Sequence, residues 1–178
     1  MAMKIGIAVI VIIGVLLAFI ATRPASFRIA RSATINAPAD ALFGMVNDFH
    51  RWPAWSPWEK LDANMKRTFE GPPSGPGSIY SWVGNSKAGE GRMTILDSTP
   101  GQLVAIKLEF FKPFAATNQT NFTFTPSASG TQVAWTMEGT HGFMSKAFSM
   151  FTNMDKLVGG DFERGLANMN AASVSRTP

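Results

Sequence analysis

Three patterns of hydrophobic positions follow one another along the chain, and each predicts a different kind of element. The first has no polar interruption: Ile5 to Ala21, IGIAVIVIIGVLLAFIA, is a run of 17 uncharged residues with Lys4 before it and Arg23-Pro24 after it. At about 1.5 Å per residue it makes a helix of roughly 26 Å, and Thr22 and a snorkelling Lys4 extend it towards the ~30 Å of a hydrocarbon core. The run is longer than a cleaved signal needs, lacks small residues placed around a cut, and has no polar stripe for a core helix. We therefore expect a single-pass cell-membrane anchor over residues 1–24, touching the bilayer through residues 5–21, with a cleaved signal as the alternative. Lys4 and the terminal amine stand against Arg23, Arg28 and Arg31 on the other side, which leans the domain towards the cytoplasm.

From Ser26 the period becomes two. Phe27 and Ile29 begin a strand that ends at Asn36-Ala37-Pro38, and Ala41, Leu42, Met45 and Val46 then recur at helical spacing. FHRWPAWSPWEKLD follows, with Pro53 and Pro57 breaking regular structure among three tryptophans, and predicts a compact aromatic turn or a broken helix. From Met65 to Val133 short alternating segments are separated by Gly84-Asn85, Pro100-Gly101, Lys112-Pro113 and Ser129-Gly130. They predict an antiparallel sheet of six or seven strands. Parity puts Val104, Ile106, Leu108 and Phe110 on one side, as it does Phe122 with Phe124 and Val133 with Trp135 and Met137. One face is wet and the other must be covered.

The third pattern supplies the cover. Met144, Ala147, Phe148, Phe151, Met154, Val158, Phe162, Leu166 and Met169 form a stripe at three- and four-residue spacing. Gly159-Gly160 costs about 2 kcal/mol relative to two alanines, so a kink or break is expected there, with Asp161 capping the second part. The domain is expected over residues 25–172, with a short tail at 173–178.

Composition narrows the chemistry. About 155 residues beyond the anchor suffice for one domain with a real core. The net charge of +4 is spread singly along the chain and makes no basic stripe, so nucleic acid is not an expected partner. There is no cysteine, and His50 and His141 are the only histidines, so no metal site and no cofactor are expected. GPPSGPG lacks the lysine and following helix of a phosphate loop. His50, Glu59 and Glu70 are the groups that could converge as a general base, but no catalytic residue is assigned. Asn118 and Thr120 share parity with Phe122 and Phe124. We read them as strand-end polar residues facing solvent, with an inward, ligand-orienting position as the alternative.

Strand, two short helices, long meander and C-terminal amphipathic helix is the order of an α+β helix-grip fold. The segments RSATINAPADALFGMVND, WPAWSPWEKLD, GSIYSWVGN with GEGRM, TQVAWTMEG and DFERGLANM together resemble the START/polyketide-cyclase superfamily, also called SRPBCC proteins. The likeness is greatest to membrane-anchored bacterial members labelled polyketide-cyclase-like. It implies a cavity between sheet and C-terminal helix that holds a small hydrophobic or lipid-like ligand. The candidate lining is Tyr80, Trp82, Met93, Ile106, Leu108, Phe122, Trp135 and Met137 from the sheet, and Phe148 and Phe151 from the helix. Trp55 and Trp58 are carried as an aromatic gate, although the turn that bears them reads first as a small satellite core. Two alternatives are kept: a cyclase or dehydratase-like enzyme, and an interaction module for a membrane protein partner that would expose the tryptophan turn.

Overall fold

The computed structural model describes residues 2–22, 26–140 and 154–174. Helix α1 covers Ala2–Thr22, a continuous 21 residues, and Thr22 Oγ1 closes its end by donating to the Phe19 carbonyl at 2.8 Å. Some α1 side chains lie outside the described set. Among those described, no helix is long and apolar enough to cross a membrane. Most of the described α1 side chains, among them Ile12, Val15 and Phe19, stand exposed, and Ile20 is buried.

The domain proper is α+β and helix-grip-like, as the parity and the cover predict. Strand β1 (Ser26–Ile35) leads into α2 (Ala39–Val46) and two 3-10 turns (Phe49–Ala54 and Pro57–Lys60). Then come β2 (Lys66–Glu70), β3 (Ile79–Val83), β4 (Glu90–Thr99), β5 (Leu103–Lys112), β6 (Ala116–Ser127) and β7 (Gly130–Thr140). These seven strands form one antiparallel sheet in the order β1-β7-β6-β5-β4-β3-β2. The meander thus runs neighbour to neighbour, and only β1 pairs out of sequence, closing onto β7 with Ser26 opposite Thr140.

Helix α3 (Met154–Val174) lies against β1, α2 and the tryptophan turns. Phe162, Leu166 and Met169 are its buried stripe. The expected break at Gly159-Gly160 is absent, for the helix runs through both glycines. The reason for Gly159 is steric. A Cβ there would stand 2.2 Å from Arg31 Nη2, so the missing side chain is what lets the β1 guanidinium cross the helix. Arg31 then bonds Asp155 Oδ1 and Oδ2 at 3.1 and 3.0 Å and Glu163 Oε1 at 2.7 Å. Asp161 lies inside the continuous helix, not at the start of a second one, and pairs with Arg164 one turn on.

Candidate functional site

The apolar face of the sheet is covered unequally. Towards β4–β6 the turns after α2 press large rings onto the strands. Trp52 and Trp55 are both buried, and their indole N–H groups donate to the carbonyls of Val46 and Met45 at 3.0 Å. Trp55 meets Phe122 and Trp135 edge-on at 5.8 and 5.5 Å. Asn168 of α3 donates to the Trp55 carbonyl at 3.0 Å, tying the turn to the helix. Pro53 and Pro57 lie within this corner and prevent a longer helix from lifting the rings away.

Beside this packed region the face is hollow. A cavity of about 470 Å³ lies between the sheet, Trp58 and α3, within the range of small-molecule sites. Tyr80, Trp82, Met93, Leu108, Trp135 and Met137 form its sheet wall, and Val158 and Phe162 close it from α3. Trp135 stacks flat on Phe162 with ring centroids 4.1 Å apart. Gly165 permits that contact, because a Cβ there would come within 2.7 Å of the Trp135 ring. Leu61, Lys87, Pro113, Phe114 and Thr140 are exposed and form the rim.

Seven of the expected lining residues therefore border the cavity: Trp58, Tyr80, Trp82, Met93, Leu108, Trp135 and Met137. Three do not. Trp55, Ile106 and Phe122 are at most 1% exposed and belong to the packed region, because the first 3-10 turn brings Trp55 down onto Phe122 and seals the sheet there. Phe148 and Phe151 lie outside the described residues. The turn is thus satellite core at Trp55 and cavity wall at Trp58, with Trp55 buried and Trp58 half-buried.

Two polar groups of residues enter the wall. Asn118 and Thr120 face inward, contrary to their expected solvent-facing position, and are 7% and 4% exposed. Gly139, opposite Asn118 on β7, makes this fit: a Cβ there would sit 2.1 Å from Asn118 Oδ1. A glycine at an inward parity position beside a polar residue was the signal available in the sequence. The second group is Glu59 with Tyr80 and Arg67. Glu59 Oε1 accepts from the Tyr80 hydroxyl at 2.6 Å, and Oε2 accepts from Arg67 Nε at 2.7 Å. Arg67 is fixed further by donating to the Glu59 and Met65 carbonyls at 3.0 Å. Burial, then the Glu59 hydrogen bond and charge, push the Tyr80 phenol well above its ordinary range. Tyr80 is a neutral hydroxyl at physiological pH. His50 stacks on Phe69 and bonds Asp48, away from the cavity, so it does not converge with Glu59.

A family profile described as polyketide cyclase / dehydrase and lipid transport matches residues 26–174. The chain belongs to this family. No curated protein matches it. Among solved structures, the di-domain ARO/CYC BexL from the BE-7585A biosynthetic pathway aligns with a TM-score of 0.63 at 12% identity, over 89% of this chain and 53% of that one. The di-domain ARO/CYC StfQ from the steffimycin pathway aligns at 0.62 and 11%, over 85% and 52%. A protein from Rhizobium leguminosarum aligns at 0.61 and 12%, over 86% of this chain and 98% of its own. At these identities the likeness establishes the fold, including the seven-stranded sheet and its C-terminal helix.

Proposed function

We propose that this polyketide cyclase/dehydrase family domain binds a small, predominantly apolar ligand between its sheet and α3, held next to a membrane by α1. The carrying observation is the cavity of about 470 Å³, walled by aromatic and methionine side chains beside a packed region on the same sheet face. Methionine suits such a wall because its thioether adapts to ligands of different outline. The tether rests on the uncharged run of 17 residues from Ile5 to Ala21 within α1, which corresponds to about 26 Å. Ser26 begins β1 opposite Thr140, which is itself on the cavity rim, so residues 23–25 join the anchor to the end of the sheet where the cavity opens. Three residues reach about 10 Å at most. Exposed Phe111 and Phe114 lie at this same end, which suits exchange of a lipid-like molecule with the bilayer. Arg28 and Arg31 pair with Glu138 and with α3 in the folded domain, which leaves the narrow flanking count of Lys4 and the amine against Arg23, Arg28 and Arg31 as it was. The proposal therefore assigns no side of the membrane.

Native mass spectrometry of the purified full chain, with extraction of whatever co-purifies, tests the reading. The expected result is recurrent recovery of an apolar molecule in near-stoichiometric amount. Repeated recovery of empty protein would overturn it.

A second reading, cyclase- or dehydratase-like catalysis, is favoured by one observation: the wall holds Glu59 and Tyr80, so the interior is not wholly apolar. Both Glu59 oxygens are already engaged, which suits fixing Tyr80 and Arg67 better than abstracting a proton. Cyclisation of a linear poly-β-ketone by the full chain, lost in Glu59→Gln, would establish the enzymatic reading.

A further inference from the structure

The antiparallel meander gathers several chain segments at one end of the sheet. The start of β1, the end of β7 and the tips of the β3–β4 and β5–β6 hairpins meet there, with Ser26 opposite Thr140, Lys66 opposite Val83 and Glu90 opposite Lys112. The two tips are in close contact, for a Cβ at Gly89 would stand 2.5 Å from the Lys112 carbonyl oxygen. The turn before β2 joins them, because Asp62 Oδ2 accepts from the Asn85 backbone N–H at 2.7 Å. The cavity rim of Leu61, Lys87, Pro113, Phe114 and Thr140 lies at this end.

Its surface differs in kind from that of the opposite end. Phe111 and Phe114 are 45% and 56% exposed, and Leu61 and Val83 are exposed on the neighbouring turns. Single apolar residues on a surface are ordinary, whereas a group of them around a cavity mouth marks a contact surface. Exposed Lys66, Lys87 and Lys112 flank the group. Lys112 pairs with Glu90 at 2.7 Å, but Lys66 and Lys87 meet no carboxylate among the described residues. At the opposite end Asp40, Glu70 and Asp97 are exposed, with Arg51 on the turn after α2 as the nearby cation. The domain is therefore polarised, apolar and basic at the rim and acidic away from it.

Apolar rings with lysines beside them suit the boundary between lipid headgroups and acyl chains, where the rings leave water and the ammonium groups meet anionic headgroups. The chain path selects the same partner, since residues 23–25 keep this end within about 10 Å of the apolar run in α1. Building on the tethered ligand-binding reading, we infer that this end of the domain docks on an anionic bilayer. Phe114 and Leu61 enter the headgroup region, and Lys66 and Lys87 face lipid phosphates. Docking fixes what the tether leaves free. A three-residue linker limits distance but permits tilt, whereas a docked rim turns the cavity mouth to the lipid, so an apolar ligand passes between bilayer and cavity without crossing bulk water.

The chain has no cysteine, so single introduced cysteines can each carry a nitroxide. Full-length protein labelled at Gly14→Cys in α1, at exposed Ala115→Cys beside Phe114, or at exposed Ser129→Cys at the opposite end is reconstituted in mixed phosphatidylcholine–phosphatidylglycerol vesicles. Electron paramagnetic resonance then compares collisions with oxygen, which concentrates in lipid, and with a water-soluble nickel chelate. The label at 115 should favour oxygen several-fold over the label at 129. Phe114→Asp, or Lys66→Glu with Lys87→Glu, should return it to water while the label at 14 keeps its depth. A label at 115 as wet as that at 129, equal lipid exposure at both, shielding of 115 from both reagents, as contact with a second copy gives, or an unaltered depth in both variants would overturn docking. The label at 14 judges the tether separately: in lipid it leaves the tether standing when docking fails, and in water it removes the tether whatever position 115 shows.

Discussion

One face of one sheet is built in two ways. Over Val104, Ile106 and Phe122 it is sealed by Trp52, Trp55 and α2, with each indole N–H satisfied. Over Tyr80, Met93, Leu108 and Met137 it is open to a cavity, and beside that opening lie Asn118, Thr120 and Trp135 with unpaired atoms. The strands have the same alternation in both regions. What differs is the cover: a short helix and two proline-bent turns deliver bulky rings to one region, while α3 is held across the other by polar clasps. Alternation therefore identifies which face is covered, and the side chains of the covering element decide whether the covered space is filled.

Truncation should separate the two regions most strongly. Phe122→Ala or Trp55→Ala should lower unfolding free energy by about 3–5 kcal/mol in chemical denaturation, the cost of a large cavity in a packed core. Leu108→Ala, which enlarges a space already present, should cost about 2 kcal/mol, the lower end for such a change. Equal losses would mean that the face is packed uniformly.

Much of this could be read from the chain. The strands, their pairing in sequence, the wet and dry faces and α2 all follow from periods and turn residues, because backbone hydrogen bonding leaves few alternatives once the periods are set. The two tryptophan roles could not be read so. In 3-10 turns interrupted by Pro53 and Pro57, no period says that Trp55 points into the core and Trp58 towards the cavity. Asn118 and Thr120 were misplaced because polar residues near a strand end face water by default. The space that admits them is made on another strand, at Gly139. Gly159 was misread for a related reason: its conformational cost was counted, and the guanidinium that needs its empty side was not visible.

The clasp across α3 gives the next prediction. Gly159→Ala should destabilise by about 1–3 kcal/mol, as overpacking does, because Arg31 must move. Gly160→Ala, where the nearest atom to the new methyl is Arg164 Nη1 at 3.9 Å, should stabilise by about 0.5–1 kcal/mol. Opposite signs at adjacent glycines in one helix distinguish close approach from flexibility, and thermal unfolding of the two variants reads them directly.

The smallest effect at neutral pH concerns the cavity wall. Tyr80 is the single tyrosine, so phenolate absorbance near 295 nm reports it alone. Its folded pKa is raised above the ordinary 10.0, so the neutral phenol favours the folded state. That contribution is complete below pH 10 and is lost as pH climbs from there towards the raised folded value. Phenolate should be absent from native protein at pH 10.5 and present in urea at the same pH. Ordinary titration in the native protein would show that Tyr80 is open to water.

The central claim, that this face carries a ligand cavity beside a solid core, is tested most directly through the methionines. Met65, Met93 and Met137 border the cavity, whereas Met45 and Met169 are buried in the packed region. With methyl-labelled methionine, an apolar alcohol added to the full chain in nanodiscs should shift the NMR signals of Met65, Met93 and Met137 and leave those of Met45 and Met169 in place. Unmoved signals from all five, or shifts of equal size in both groups, would contradict the account.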